Sequence, residues 1–230
     1  MKRILFMALL AATLSAHAAT SDGDDSENTD IKLHDGETVD WIMHLAIGFN
    51  AGIDAPDGYD FAPFKSWDVQ WTVFDFEYTP LNASQTYSIG FGMNWSNFAL
   101  ENSGAMFQKM GEVTALGQFP AATSSRYSSV HRLALDVPLL FTQRIGSHVS
   151  LSLGPVVKFN TGGWLHTRYD MGDQEYRIST KKIDLRPVTV DVMGVVDIYG
   201  IGLYCKYSPM SVFKADRGPE FKSVTFGLYF

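Results

Sequence analysis

The chain has 230 residues, a formal net charge of −7, 13% aromatic residues and a single cysteine, Cys205. That length holds one domain and is tight for two, and a lone cysteine excludes an intramolecular disulfide framework. No apolar run after Leu14 approaches the about 20 residues that a membrane helix needs, so helical spanning is excluded as well.

In chain order, the first predicted element is a signal peptide over residues 1–18. Lys2 and Arg3 supply its positive end, Ile4 to Leu14 its short apolar run, and Ala16-His17-Ala18 a small-x-small cleavage site. Residues 19–37 follow as an acidic leader. Asp22, Asp24, Asp25, Glu27, Asp30, Asp35 and Glu37 face a single Lys32 there, without apolar periodicity. Such composition predicts a disordered periplasmic segment. Carboxylates without a folded frame hold no fixed metal geometry, so a solvated tail is the favoured reading.

Residues 38–230 read as eight strands. Segment 41–50 alternates Trp41, Met43, Leu45, Ile47 and Phe49 with His44, Ala46, Gly48 and Asn50. Segment 67–78 starts with Trp67, Val69 and Trp71 in phase, then switches to Phe74, Phe76 and Tyr78 with Asp75 and Glu77 between them. A switch of phase inside one strand predicts a β-bulge near Thr72–Val73. Segment 86–96 sets Tyr87, Ile89, Phe91, Met93 and Trp95 against Ser88, Gly90, Gly92, Asn94 and Ser96. Segments 130–143, 149–160, 183–196, 201–208 and 221–230 repeat the alternation. Their connections run long, short, long, short, long, short, long. That rhythm predicts an all-β fold: an eight-stranded antiparallel transmembrane β-barrel with short periplasmic turns and long extracellular loops.

The second face decides between a membrane barrel and a soluble one. It is mostly Gly, Ser, Ala, Asn and Thr, suited to the crowded lumen of a small barrel. The first face is bulky and aromatic, suited to acyl chains and interfacial girdles. Strand parity collects Arg132, Asp136, Lys158, Asp191 and Lys206 in the lumen, where charges must pair. Asp136 is expected to pair with at least one of Arg132, Lys158 or Lys206. A salt-bridged plug is favoured over a gated pore at this barrel size.

Three further features bear on function. His131 lies beside Ser128 and Ser129, but Val130 intervenes, so Ser129 and His131 are not expected to meet as a catalytic pair. His44 faces the lumen and is expected to be a satisfied interior histidine, because no second His or Cys has ligand spacing. The long loop 97–126 carries Phe98, Met106, Phe107, Met110 and Phe119. Two readings of these side chains stay open, a partner surface and a cap over the barrel mouth. Residues 100–116 are expected to form a short helix.

From Val39 to Phe230 the chain resembles the PorT-like outer-membrane barrels of Bacteroidota. Leu135-Asp136-Val137-Pro138-Leu139-Leu140 is similar to a strand motif of that family, with Asp136 where Glu is usual. Leu153-Gly154-Pro155, Tyr207-Ser208-Pro209 and the terminal Gly227-Leu228-Tyr229-Phe230 resemble its later strands. The resemblance implies that Phe230 is the signal read by barrel-assembly machinery, and it implies no shared catalytic residues.

The expected location is the bacterial outer membrane. The expected role is a non-enzymatic structural or binding module without cofactor or metal. Its expected partners are outer-membrane lipid, lipopolysaccharide, the assembly machinery and an extracellular or secretion-system protein, with no nucleic acid. The alternatives are a lipid-modifying enzyme and a narrow channel for small or apolar solutes.

Overall fold

A computed structural model describes residues 38–80, 84–101 and 104–230. The expected signal peptide over 1–18 and acidic leader over 19–37 lie outside the described residues.

Eleven strands are present among the described residues: β1 (Thr38–Ile53), β2 (Trp67–Thr79), β3 (Gln85–Ala99), β4 (Ala105–Met110), β5 (Val113–Gln118), β6 (Thr123–Ile145), β7 (Val149–Met171), β8 (Gln174–Lys181), β9 (Val188–Ile198), β10 (Ile201–Ser208) and β11 (Lys222–Tyr229). Eight of them close into a ring in the order β1-β2-β3-β6-β7-β9-β10-β11, every neighbour antiparallel. Each ring strand overlaps one expected segment. Closure leaves no open sheet edge around the middle of the ring, where the ladder satisfies every strand's backbone.

The predicted bulge lies where the phase switches. Thr72 pairs with Gly92 and Phe74 with Phe91, so Val73 is the inserted residue on β2. The same shift appears against β1, where Ile42 pairs with Asp75 and His44 with Thr72. One extra residue turns Phe74 and Phe76 outward and Asp75 inward, the reverse of what unbroken alternation from Trp67 would give.

The polarity of the barrel is inverted relative to a protein folded in water. Phe91, Val192, Leu203 and Leu228 are each more than two-fifths exposed, whereas Asp136, Lys158 and Asp191 are completely buried. Small residues on the inner face make room for the large ones. A Cβ at Gly48 would stand 2.6 Å from the hydroxyl of Tyr204, which crosses the lumen. Aromatic side chains gather at both ends of the outer wall. Trp67 and Trp95 lie 5.0 Å apart at the end carrying the long loops, and Tyr87 and Phe141 lie 5.4 Å apart at the end carrying the short turns.

Three segments differ from the sequence reading. Of the segment 100–116, residues 105–116 lie in the β4–β5 hairpin rather than in a helix, turning at Gly111 with φ +64°. Gly104 and Gly111 weaken a helix there, and Phe107 gains a buried site by pairing outward from the sheet. Residues 161–182 are not a loop. β6 and β7 rise together past the barrel rim, and β7 turns at Gly172 into β8. The ninth strand starts at Val188 rather than at 183, because Pro187 has no N–H for the ladder. Ile183 and Leu185, freed from the strand, are buried at the barrel mouth.

Candidate functional site

The inward side chains stack in layers. At the loop end, Phe61, Phe98, Phe107, Leu165, Leu185 and Phe213 belong to one buried apolar cluster drawn from six separate segments. This cluster closes the mouth, and the loops that build it are tied to one another. Arg217 pairs with Glu112 of the β4–β5 turn, the Thr114 N–H donates to the Arg217 carbonyl at 2.9 Å, and Lys109 Nζ donates to the Lys182 carbonyl at 2.6 Å. Burial beside Phe107 pushes the Tyr59 phenol up from its ordinary range. For Phe98 and Phe107 the cap is the reading that holds, since both belong to this cluster; Phe119 is buried beside Tyr169 at 5.8 Å, and Met110, at the hairpin tip, stays exposed.

Beneath the cap lies a charged layer. Lys206 Nζ stands 2.7 Å from Asp68 Oδ1 and donates to Gln70 Oε1 at 3.1 Å. Lys158 Nζ stands 2.6 Å from Asp191 Oδ2 and donates to Asn94 Oδ1 at 3.1 Å. Asn94 in turn donates to Asp68 Oδ2 at 2.9 Å, which joins the two ion pairs into one network across the lumen. Under this layer Leu140, Val156, Met193, Val195 and Tyr204 form a second apolar cluster that fills the lower lumen.

All five lumen candidates, Arg132, Asp136, Lys158, Asp191 and Lys206, are buried inside the barrel. Their pairing differs from the expectation. Asp136 has no ion-pair partner among the described residues, and neither of its oxygens accepts a hydrogen bond. It sits opposite Lys158 in the ladder, but Lys158 reaches Asp191 on β9 instead. Arg132 donates to Ser96 Oγ at 3.1 Å and lies under the ring of Phe98 at 5.9 Å. Asp68, the partner of Lys206, is absent from the sequence-based set. Its parity with Gln70, between outward Trp67 and Val69, is the signal that would have found it.

His131 also departs from the expectation. The pleat and the bend of β6 bring its Nε2 to 3.2 Å from Ser129 Oγ. Ser129 is completely buried, while His131 Nδ1 is buried without a hydrogen-bond partner and its ring stacks on Trp164 at 5.1 Å. A catalytic base is oriented through its second ring nitrogen, and among the described residues no group hydrogen-bonds His131 Nδ1.

Phe230 ends the closing strand on the outer wall. Its N–H and its carbonyl both pair with Leu45 at 2.9 Å, so the last residue is held in the ladder rather than frayed. These bonds use only the backbone and survive loss of the ring. The purified Phe230→Ala variant is therefore expected to refold in micelles with near-normal stability, while the assembly role that the resemblance implies for the ring predicts a lower outer-membrane yield in cells. Heat-modified gel mobility reads the first and cell fractionation with immunoblotting the second. Normal yield would remove the assembly role, and failure to refold would make the ring structural.

A closed ring, an apolar wall and a packed polar interior define an outer-membrane β-barrel protein, since only a bilayer makes such a wall favourable. No protein-family model matches the sequence, and no curated protein is similar to it. Among solved structures it is similar to Ail, the attachment invasion locus protein of Yersinia pestis, at 12% identity and a TM-score of 0.33, over 85% of this chain and 99% of that one. At that identity and score the likeness carries nothing about function.

Proposed function

We propose that the protein is a non-enzymatic outer-membrane barrel that displays its loop end at the cell exterior as a binding surface, with its short turns and its last residue in the periplasm. The observation that supports this most is the filled interior. Two ion pairs joined through Asn94 into one network across the lumen lie between two apolar clusters, so the barrel serves as a mount for its loops rather than as a conduit. Beyond the cap, the β7–β8 hairpin stands clear of the ring with Tyr176 and Ile178 exposed, and Tyr169 stacks on Tyr176 at 5.4 Å. Arg177 hydrogen-bonds Glu175 at 2.8 Å on the same hairpin and holds that carboxyl below its ordinary range. Rigid aromatic side chains on a projecting hairpin are suited to a protein or glycan partner. The PorT-like resemblance around Asp136 and at Gly227–Phe230 favours a secretion-associated partner, with lipopolysaccharide and the assembly machinery as the barrel's surroundings.

Planar-bilayer recording tests the filled lumen. The purified protein is expected to give no stable conductance steps; regular steps would favour the channel reading. Trypsin added to intact cells tests the display. Arg177, Lys181 and Lys182 are exposed at the loop end, so cleavage there is expected without permeabilisation, leaving the barrel protected. Cleavage only after permeabilisation would invert the topology.

The 3.2 Å contact between Ser129 and His131 favours one second reading, a lipid-modifying enzyme at the headgroup level. The burial of Ser129 speaks against it. Cells carrying Ser129→Ala are expected to keep an unchanged lipid profile by mass spectrometry, and a lost lipid species would establish the enzyme.

A further inference from the structure

At the turn end of the barrel, three ligating side chains from two neighbouring strands converge. His44 comes from β1, and Asp75 and Glu77 from β2. One imidazole nitrogen and two carboxylate oxygens lie within 4.8 Å of one another, the spacing of groups that can share one cation. His44 Nε2 stands 3.3 Å from Asp75 Oδ2. The inserted Val73 creates this arrangement. Without it, Asp75 and Glu77 would face the lipid, and His44 would look onto aromatic rings.

A second observation points to a ligand. The Asp75 side chain is 98% buried, yet its Oδ1 has no hydrogen-bond partner. A buried carboxylate oxygen without a donor is costly unless a cation satisfies it. The His44 ring is meanwhile held flat against Tyr229 at 4.9 Å. A ligating imidazole held by packing loses little freedom when it binds.

We propose that His44, Asp75 and Glu77 form a site for a divalent transition-metal ion at the turn-end mouth of the barrel. One nitrogen and two oxygens suit Zn²⁺, with water completing a tetrahedron. The imidazole disfavours Ca²⁺ and Mg²⁺, which take oxygen ligands. The ion would staple β1 to β2 just below the seam where Tyr229 and Phe230 close the ring.

The test uses full-length protein folded in detergent micelles, stripped with a chelator and titrated with zinc chloride by calorimetry, with thermal unfolding followed in parallel. The wild type is expected to show a saturable single-site isotherm and a rise in Tm. His44→Gln is expected to abolish both, and Glu77→Gln to weaken binding by at least about tenfold, as loss of one ligand does. Mg²⁺ and Ca²⁺ at the same concentration are expected to leave Tm unchanged. Heat-modified gel mobility reports whether each variant has folded. If His44→Gln fails to fold, Glu77→Gln carries the test alone, because its side chain is only half-buried and the change conserves its shape. Equal Zn²⁺ binding by wild type and Glu77→Gln would place the ion elsewhere on the chain and overturn the proposal. No saturable binding by the wild type would leave His44 and Asp75 as a plain ion pair and overturn it equally.

Discussion

Asp68→Ala and Lys206→Ala are each expected to destabilise the micelle-folded barrel by about 3–5 kcal/mol, the cost of leaving one charge of a buried pair without its partner. Both side chains are 1% exposed, and their 2.7 Å contact lies at the centre of the lumen network. Asp68 also accepts from Asn94, and Lys206 also donates to Gln70, so either truncation strands further polar groups. The double variant Asp68→Leu/Lys206→Met is expected to recover most of the loss, because two apolar groups of similar volume bury no charge. Asp136 behaves differently. It makes no ion pair or side-chain hydrogen bond to lose, so Asp136→Asn is expected to cost well under half as much as Asp68→Ala. Urea unfolding followed by tryptophan fluorescence measures all four. Equal losses for Asp136→Asn and Asp68→Ala would mean that the lumen charges act as one diffuse field rather than as two joined pairs.

Phe91→Arg is expected to cost about 2–4 kcal/mol, the range for a cation on the lipid face of a barrel at the bilayer midplane. Phe91 stands near the middle of β3 on the outward face, and its backbone pairs with Phe74 just past the bulge. Phe64→Arg, in the long loop between β1 and β2, is expected to change stability little, although Phe64 is the more exposed of the two at 80%. A barrel surrounded by water would show no such difference. An exposed Phe replaced by Arg would then be neutral or favourable at both sites. The two substitutions, compared by folding into lipid vesicles and urea titration, therefore report directly on what surrounds the wall. Near-zero cost at Phe91 would remove the membrane from the account of this fold.

The strand parity that places Phe91 outside is legible in residues 86–96 alone, as is the inward parity of Lys158 and Lys206. Alternation has only two phases, so once one residue of a strand is assigned, its neighbours follow. The bulge was legible for the same reason: a change of phase inside a strand has no other economical explanation. Which lumen charges meet was not. Parity says that Asp136 and Lys158 share a face, and they do pair in the ladder, yet Lys158 reaches across to Asp191. A long flexible ammonium chooses among carboxylates on several strands, and that choice depends on the barrel's curvature rather than on sequence spacing.

The loop end separates the two levels further. Residues 100–116 lack a clear period in sequence, and the β4–β5 hairpin within them is tied to the barrel by Ser128, which accepts from the Phe107 N–H at 2.9 Å. The Ser129–His131 contact and the cluster of His44, Asp75 and Glu77 likewise have no signature in spacing. By itself the sequence determined the eight strands of the ring, their inner and outer faces, the position of the bulge and the need for a bilayer, because each follows from the period-two geometry of a strand and the burial of apolar surface. The ligands gathered at the turn end were decided by the register of β1 against β2, and the partners across the lumen and the cap over the mouth only when the ring closed, since closure is what brings strands distant in sequence to within the reach of a side chain.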